Sequence, residues 1–564
     1  MKDVIVRRSD VFWFLVTAIL ISIAFRWPLT YHETGIDSFY VHGLATSATQ
    51  FGEMRWLVNP LSLFGLYSMS YASGVPILLA EFSTMTGLTM EGTILVFSVL
   101  IAIIAALAAF LLGLEIRNSP PFAFAISIIY SSCPMLLFST QWSIGTRSMF
   151  MAILPFTLWL MVRLGKYGQG EADIKKRRAI SAIFLITLLL MALIHRLFFM
   201  IIIFIIAYFI ARRIYKLLGP QREIFISQVK WGRRYSILMI LIPVMIATAS
   251  MVLLAYYAGW LGLDSYDIGF FKGDSIIVRL LNLLASVAAT IGFPIAFLFP
   301  IGLIILLRSK NRGFLGIFFL ASFLLILPFS GGRQYERWLY PVVLGVLILV
   351  PAYLIVSSKK RRLYTKVIFI AVLMTMPINL VLVDYYNRWP ESKVVDDGIS
   401  TPDHAYMTAL YYGYYFNGEY FTGNNGFLAS HIQAYTDSPD MPGDVIDLLI
   451  YGVINNEDID AELVSLEDFL SGKGTLFSTH WEEILAYDWA IMYLYKDSPA
   501  DAADILTRYD VHMFIEDTRL NGKILGYEGV TLYPREAGQA RFIEGVHELT
   551  YKIYDNGIDI IWKI

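Results

Sequence analysis

The chain of 564 residues has a single cysteine, few charges and none of the short signatures that mark soluble enzymes. With only Cys133, inside an apolar run, no internal disulfide can form, so every part must hold its fold by packing and hydrogen bonding in any redox compartment. Charged residues make up 16% of the chain and apolar residues 57%, against roughly 25% and 45 to 50% in soluble globular domains. That composition excludes an ordinary soluble enzyme. No phosphate loop ends in Gly-Lys-Ser/Thr, and no Gly-x-Ser-x-Gly elbow, zincin helix or Cys-x-x-Cys pair occurs. Repeats, low-complexity tracts and Asn-x-Ser/Thr sequons with a permitted middle residue are also missing.

The formal charge of −2 hides a division. Residues 1–395 carry 35 Lys and Arg against 17 Asp and Glu, a balance of +18, whereas residues 396–564 carry 9 against 29, a balance of −20. Two parts suited to different surroundings are joined there, giving domains 1–395 and 396–564. The acidity of the second favours solubility and argues against nucleic acid as a partner.

A bilayer core about 30 Å thick needs roughly 20 apolar residues per helix. The first such run, Val11 to Leu29, follows Lys2, Arg7 and Arg8; it is too long for a removable signal peptide and lacks a small-residue cleavage site. Further runs lie at 91–113, 120–138, 143–164, 179–195, 197–212, 236–257, 287–307, 314–330, 337–356 and 366–384. Eleven spans result, or thirteen if 57–90 forms a further pair. That segment, broken by Asn59, Pro60, Gly65, Gly74, Pro76 and Glu81, also suits two short surface helices or a re-entrant piece. His195 and Arg196 split 179–212 and mark a tight hairpin tip. With the N-terminus in the cytoplasm, alternate loops collect Lys175 to Arg178, the cluster from Arg212 to Arg234, then Arg308, Lys310 and Arg312, and finally Lys359 to Arg362. The positive-inside bias then places the first loop, 30–90, and the tail outside a cell membrane.

The tail mixes helix and strand signals. Ser498-Pro499-Ala500-Asp501 has an N-cap Ser with Pro at the first helical position and predicts a helix to Tyr509. Val511 to Glu516 reads as a buried strand, and alternating runs around Asn556-Gly557 read as a hairpin. The fold class expected is a polytopic α-helical membrane domain followed by an α+β extracytoplasmic domain. Eight aromatic side chains between Tyr406 and Phe421 suit two uses: packing of the tail against the membrane part, or a platform for sugar rings.

Chemistry must come from residues held at the outer face. The first outer loop opens Thr30-Tyr-His32-Glu33-Thr-Gly35-Ile-Asp37-Ser-Phe-Tyr40-Val-His42, which gathers two carboxylates and two imidazoles. This Gly-x-Asp-x-x-Tyr-x-His pattern is followed by Phe51-Gly52, Trp56, Asn59-Pro60, Gly65, Tyr67 and Gly74-Val-Pro76. It resembles the GT-C superfamily of multispan glycosyltransferases that use lipid-linked sugars, which includes protein O-mannosyltransferases, lipid A aminoarabinose transferases and the archaeal-type oligosaccharyltransferase. At residue level the resemblance is confined to that loop and Asp37; elsewhere it lies in the overall layout.

The resemblance implies an inverting transfer from a polyprenyl-phosphate sugar to a glycan, lipid or protein acceptor. Such a transfer needs a base for the acceptor hydroxyl and a cation for the departing phosphate. Asp37 would be the base, with His42 and Glu33 as orienting groups or metal ligands. Outer basic residues stand out because the charge bias should have removed them. Arg333, Arg337, Arg147 and Arg196 are the candidates for the donor phosphate, whose oxygens match the guanidinium fork, and Glu336 is placed to neutralise one of them. Oligosaccharyltransferases carry several acidic metal ligands and a Trp-Trp-Asp motif in the tail. Here Trp481 and Trp489 stand apart, which disfavours peptide-sequon glycosylation. Asp264, Asp267 and Asp274 leave a divalent metal ion open as the one cofactor.

Two other classes compete. A transporter or lipid-handling protein would use the same outer Arg and Asp residues to bind a headgroup, but ionisable sites near the midplane and internal repeats, common in transporters, are missing. A non-catalytic scaffold or receptor would bind its partner through the tail alone.

Overall fold

The computed structural model describes residues 8–51, 74–116, 118–164, 171–198, 201–202, 204–213, 318, 321, 401–436, 438, 506, 510–520, 524–525, 531–532 and 551–564. Its N-terminal half is helical: α1 (Arg8–Ala24), α2 (Ile36–Phe51), α3 (Gly74–Thr86), α4 (Met90–Ile116), α5 (Pro120–Ser131), α6 (Pro134–Phe138), α7 (Thr146–Leu164) and α8 (Glu171–Ile194). Among the described residues three segments are long and apolar enough to cross a membrane: Met90–Ile116, Thr146–Leu164 and Ile174–Ile194. This part is a helical membrane protein. Its core runs through α4, α5 and α7, with Ile101, Ala105, Ile126, Phe150 and Leu158 fully enclosed. Gly113 lets α4 and α5 cross closely, since a Cβ there would stand 2.6 Å from the Ala123 Cα.

Two sequence expectations change. The run 120–138, expected as one span, is broken into α5 and α6. Pro134 supplies no N–H and its ring disfavours helical backbone at the residue before it, so Cys133 takes an extended conformation, φ −66 and ψ 144. The loop expected directly after the first run contains α2, while α3 falls in the 57–90 segment, for which short helices are one of the expectations. Acidic Asp37 in the first turn of α2 suits the positive end of that helix.

The hairpin tip at 195–196 is a 3₁₀ turn, Arg196–Phe198, after which helical residues resume at 201–202 and 204–213. The expected spans beyond residue 213 lie outside the described residues, apart from helical positions 318 and 321. The Phe318 ring packs near Phe204 and Tyr208.

In the tail, α9 (Asp403–Phe416), β1 (Tyr420–Gly423) and α10 (Gly426–Thr436) precede β2 (Val511–Asp517), β3 (Ile524–Leu525), β4 (Thr531–Leu532), β5 (Tyr551–Asp555) and β6 (Asp559–Lys563). A four-stranded sheet has the order β1-β2-β6-β5, and β3 pairs with β4. β1 runs parallel to β2, so α10 lies in the connection that a parallel pair requires. β5 and β6 form the antiparallel hairpin expected around Asn556-Gly557. Tyr412, Phe421, Ile432, Met513, Ile515 and Ile561 close a core between the two helices and the sheet. The helix expected from Ser498 lies outside the described residues except for Leu506, which is helical and buried.

Helix α10 packs directly on α2, through Phe39 against His431 and His42 against Tyr435. The tail therefore touches the helix whose first turn carries Asp37.

Candidate functional site

The site forms where residues 33–38 are stitched to residues 141–145. The Thr34 N–H donates to the Trp142 carbonyl at 2.9 Å and the Thr34 hydroxyl to the Gln141 carbonyl at 3.2 Å. Gly35 has φ +96, a left-handed conformation that glycine adopts without penalty, and a Cβ there would meet the Ser143 hydroxyl at 3.0 Å. The glycine lets the chain turn into α2 close to the second loop. Ser38 then completes the join: its hydroxyl accepts the Ile144 N–H at 2.8 Å and donates to Glu33 Oε1 at 2.5 Å.

This join brings two helix starts together. Asp37 sits in the first turn of α2 and Arg147 in the first turn of α7, with Arg147 Nη2 3.6 Å from Asp37 Oδ2. The Asp37 side chain is 65% exposed and that of Arg147 19%. The acid is thus open to solvent while the guanidinium beside it is mostly covered. Two helix starts and one guanidinium thus lie beside the Asp37 carboxylate, whose charge they offset.

Glu33 lies underneath, fully buried. One oxygen takes the Ser38 hydroxyl and the other lies 2.7 Å from His42 Nδ1. His42, one turn further along α2 than Ser38, is buried as well. A buried carboxylate is tolerated when its oxygens are filled in this way. His195 at the hairpin tip places its ring 6.2 Å from Phe150, so the turn that carries Arg196 reaches the first turns of α7. Arg333, Arg337 and Glu336 lie outside the described residues, as do Asp264, Asp267 and Asp274. Among the described residues no group of three or more His, Cys, Asp or Glu side chains gathers to hold a metal ion; the neighbour of Asp37 is a guanidinium.

Sequence reasoning missed a further set of partners around Glu33. Glu91, at the start of α4, accepts the Glu33 N–H at 3.1 Å and the Tyr435 hydroxyl at 3.3 Å, and its Oε1 lies 3.3 Å from His32 Nδ1. Tyr406 stacks on the His32 ring at 3.6 Å, and the Thr401 hydroxyl donates to the Glu33 carbonyl at 3.0 Å. Burial, followed by the Glu33 and Glu91 carboxylates, holds the Tyr435 hydroxyl well above the ordinary tyrosine range, so it stays a donor. Burial and Glu91 push Tyr406 the same way. A carboxylate at the head of an apolar run was the available signal for Glu91. The aromatic cluster divides: Tyr406 meets His32, Tyr412 fills the tail's core, Tyr411 stacks on Tyr554, and Tyr414 and Tyr415 are exposed.

The chain matches no protein-family model and no curated protein sequence. Solved structures do resemble it. The Archaeoglobus fulgidus oligosaccharyltransferase in complex with zinc and sulfate is 13% identical, with a TM-score of 0.54 over 90% of this chain and 68% of that one. The same enzyme tethered to an acceptor peptide containing the NVT sequon is 12% identical, with a TM-score of 0.56 over 99% and 74%. The chain has the GT-C fold. At this identity the likeness establishes architecture alone, and the chemistry has to be argued from the side chains. In this fold the helix after α1 carries Asp37 and packs against the tail.

Proposed function

We propose that this chain is a membrane glycosyltransferase that moves a sugar from a polyprenyl-phosphate carrier to an acceptor hydroxyl at the outer face of the cell membrane. The observation that carries this reading is the exposed Asp37 carboxylate beside Arg147 at the meeting point of two helix starts. The GT-C fold supports it.

Asp37 acts as general base. It takes the proton of the acceptor hydroxyl as that oxygen attacks the sugar's C1. The C1–O bond to phosphate breaks, and its electron pair leaves with the phosphate oxygen, so the configuration at C1 inverts. Arg147 faces the developing charge, where guanidinium N–H groups pair with phosphate oxygens bidentately. Arg196, Arg333 and Arg337 complete the proposed phosphate set. A carboxylate and a guanidinium side by side suit a reaction in which a proton leaves one reactant while negative charge grows on the other.

The same reading keeps the division into a membrane domain of about eleven spans, residues 1–395, and an extracellular domain, 396–564, with the N-terminus cytoplasmic by the positive-inside rule. The test is transfer from a synthetic polyprenyl-phosphate hexose. Asp37→Asn is expected to lower turnover by about 100- to 10,000-fold, the usual contribution of a general base, in protein that inserts and purifies normally. Wild-type turnover in that variant removes Asp37 from the role.

A further inference from the structure

Three buried hydrogen bonds join the tail to the reactive pair by way of Glu33 and Ser38. The Glu33 carbonyl receives the Thr401 hydroxyl, its carboxylate receives the Ser38 hydroxyl, and that same hydroxyl accepts the Ile144 N–H. Ser38 is the residue after Asp37, and Ile144 precedes Arg147 by three. The side chains that face this link are His42 from α2, Glu91 from α4 and Tyr435 from α10.

We propose that Glu33 is a positioning residue: through Ser38 and Ile144 it fixes Asp37 and Arg147 side by side, and the tail locks that arrangement through Thr401. The inference rests on the reading of Asp37 as base. Glu33 cannot reach substrate itself, because it is fully buried and both of its oxygens are occupied. Its effect on the reaction is geometric. A displacement of about 1 Å in a catalytic group costs up to about 100-fold in rate, and only the Ser38 hydroxyl stands between Glu33 and the loop that leads to Arg147.

The chemistry separates positioning from proton transfer. In Glu33→Leu no acceptor remains for Ser38. In Glu33→Gln the amide oxygen still accepts from Ser38, while the amide N–H donates to His42 in its other tautomer. A positioning role therefore predicts a loss in kcat of about 100-fold for Glu33→Leu, with KM for a synthetic polyprenyl-phosphate hexose nearly unchanged and kcat largely restored in Glu33→Gln. If Gln is as inactive as Leu, the carboxylate's charge or proton is what matters, and the proposal is overturned.

Should Glu33→Leu fail to fold, Ser38→Ala cuts the same link with a smaller change. A cryo-EM structure of the Ser38→Ala protein, whole chain, is expected to show Asp37 and Arg147 moved apart; the two side chains still paired at their original distance would overturn the proposal. That structural readout is independent of turnover. Full activity in Asp37→Asn would remove the base assignment, and the spacing of the pair in Ser38→Ala would still decide the positioning role.

Discussion

Two fully buried acidic residues, Glu33 next to the Asp37–Arg147 pair and Asp517 in the tail, are tied into the fold differently. Asp517 is satisfied almost at home: Arg519 grips it with Nε at 2.9 Å and Nη2 at 2.7 Å, the Arg519 N–H adds a third bond, and Asn425 donates at 2.7 Å. All of these partners belong to the tail, three of the four bonds coming from a residue two positions away. The Glu33 carboxylate is met by Ser38 and His42, both from α2, while its backbone reaches further: its N–H donates to Glu91 at the start of α4 and its carbonyl accepts from Thr401 of the tail. A locally closed carboxylate stabilises its own unit. A residue whose backbone also bonds to two other segments completes its hydrogen bonds only when the whole molecule is assembled.

The comparison can be broken or sharpened by substitution. The largest effect is expected from Asp37→Asn, which leaves the packing intact: transfer falls by about 100- to 10,000-fold while thermal stability moves by less than about 0.5 kcal/mol, as for most exposed positions. Calorimetry beside the activity assay checks both halves. Next comes Asp517→Leu, which strands Arg519 and Asn425. Loss of about 3 kcal/mol is expected for breaking a buried pair, read as earlier unfolding of the tail by hydrogen exchange, with slowed exchange retained in α4 and α7. If α4 and α7 loosen equally, the tail is not the self-contained unit described.

Tyr435→Phe should cost about 1 kcal/mol, the worth of a long hydrogen bond to a carboxylate, and should loosen α2 and α10 together in hydrogen exchange. A change confined to α10 would argue against the tail's hold on α2. The smallest effect is a slope with pH. The folded pKa of Tyr435 is raised above its unfolded value, so its contribution is fully present below about pH 10 and is lost as pH rises beyond that, because only the unfolded chain releases the proton freely. Thermal melts from pH 8 to 11 should show the decline, and Tyr435→Phe should flatten it.

Much of this was legible in the residues. The apolar runs, the acidic tail and the β5–β6 hairpin could be read from composition and period; Arg147 stood out by the charge bias, and Asp37 through the family resemblance. Two features could not. Pro134 breaks a span that hydropathy reads as continuous, because apolarity reports burial and says nothing of a missing N–H. The partners of Glu91, Thr401 and Tyr435 could not be read either, since they depend on which distant segment each residue meets.

What the sequence determined by itself was the solvent each segment suits and the side expected of it. The length of each apolar run marks which segments suit lipid, and the placement of Lys and Arg sets the orientation expected of them, both being local properties summed along the chain. Tertiary structure alone decided that Asp37 stands against Arg147, 110 positions away, and that Thr401 reaches Glu33 across 368. Hydrogen bonds and ion pairs act over a few ångströms in space and carry no record of sequence distance, so only the packed fold reveals which groups they join.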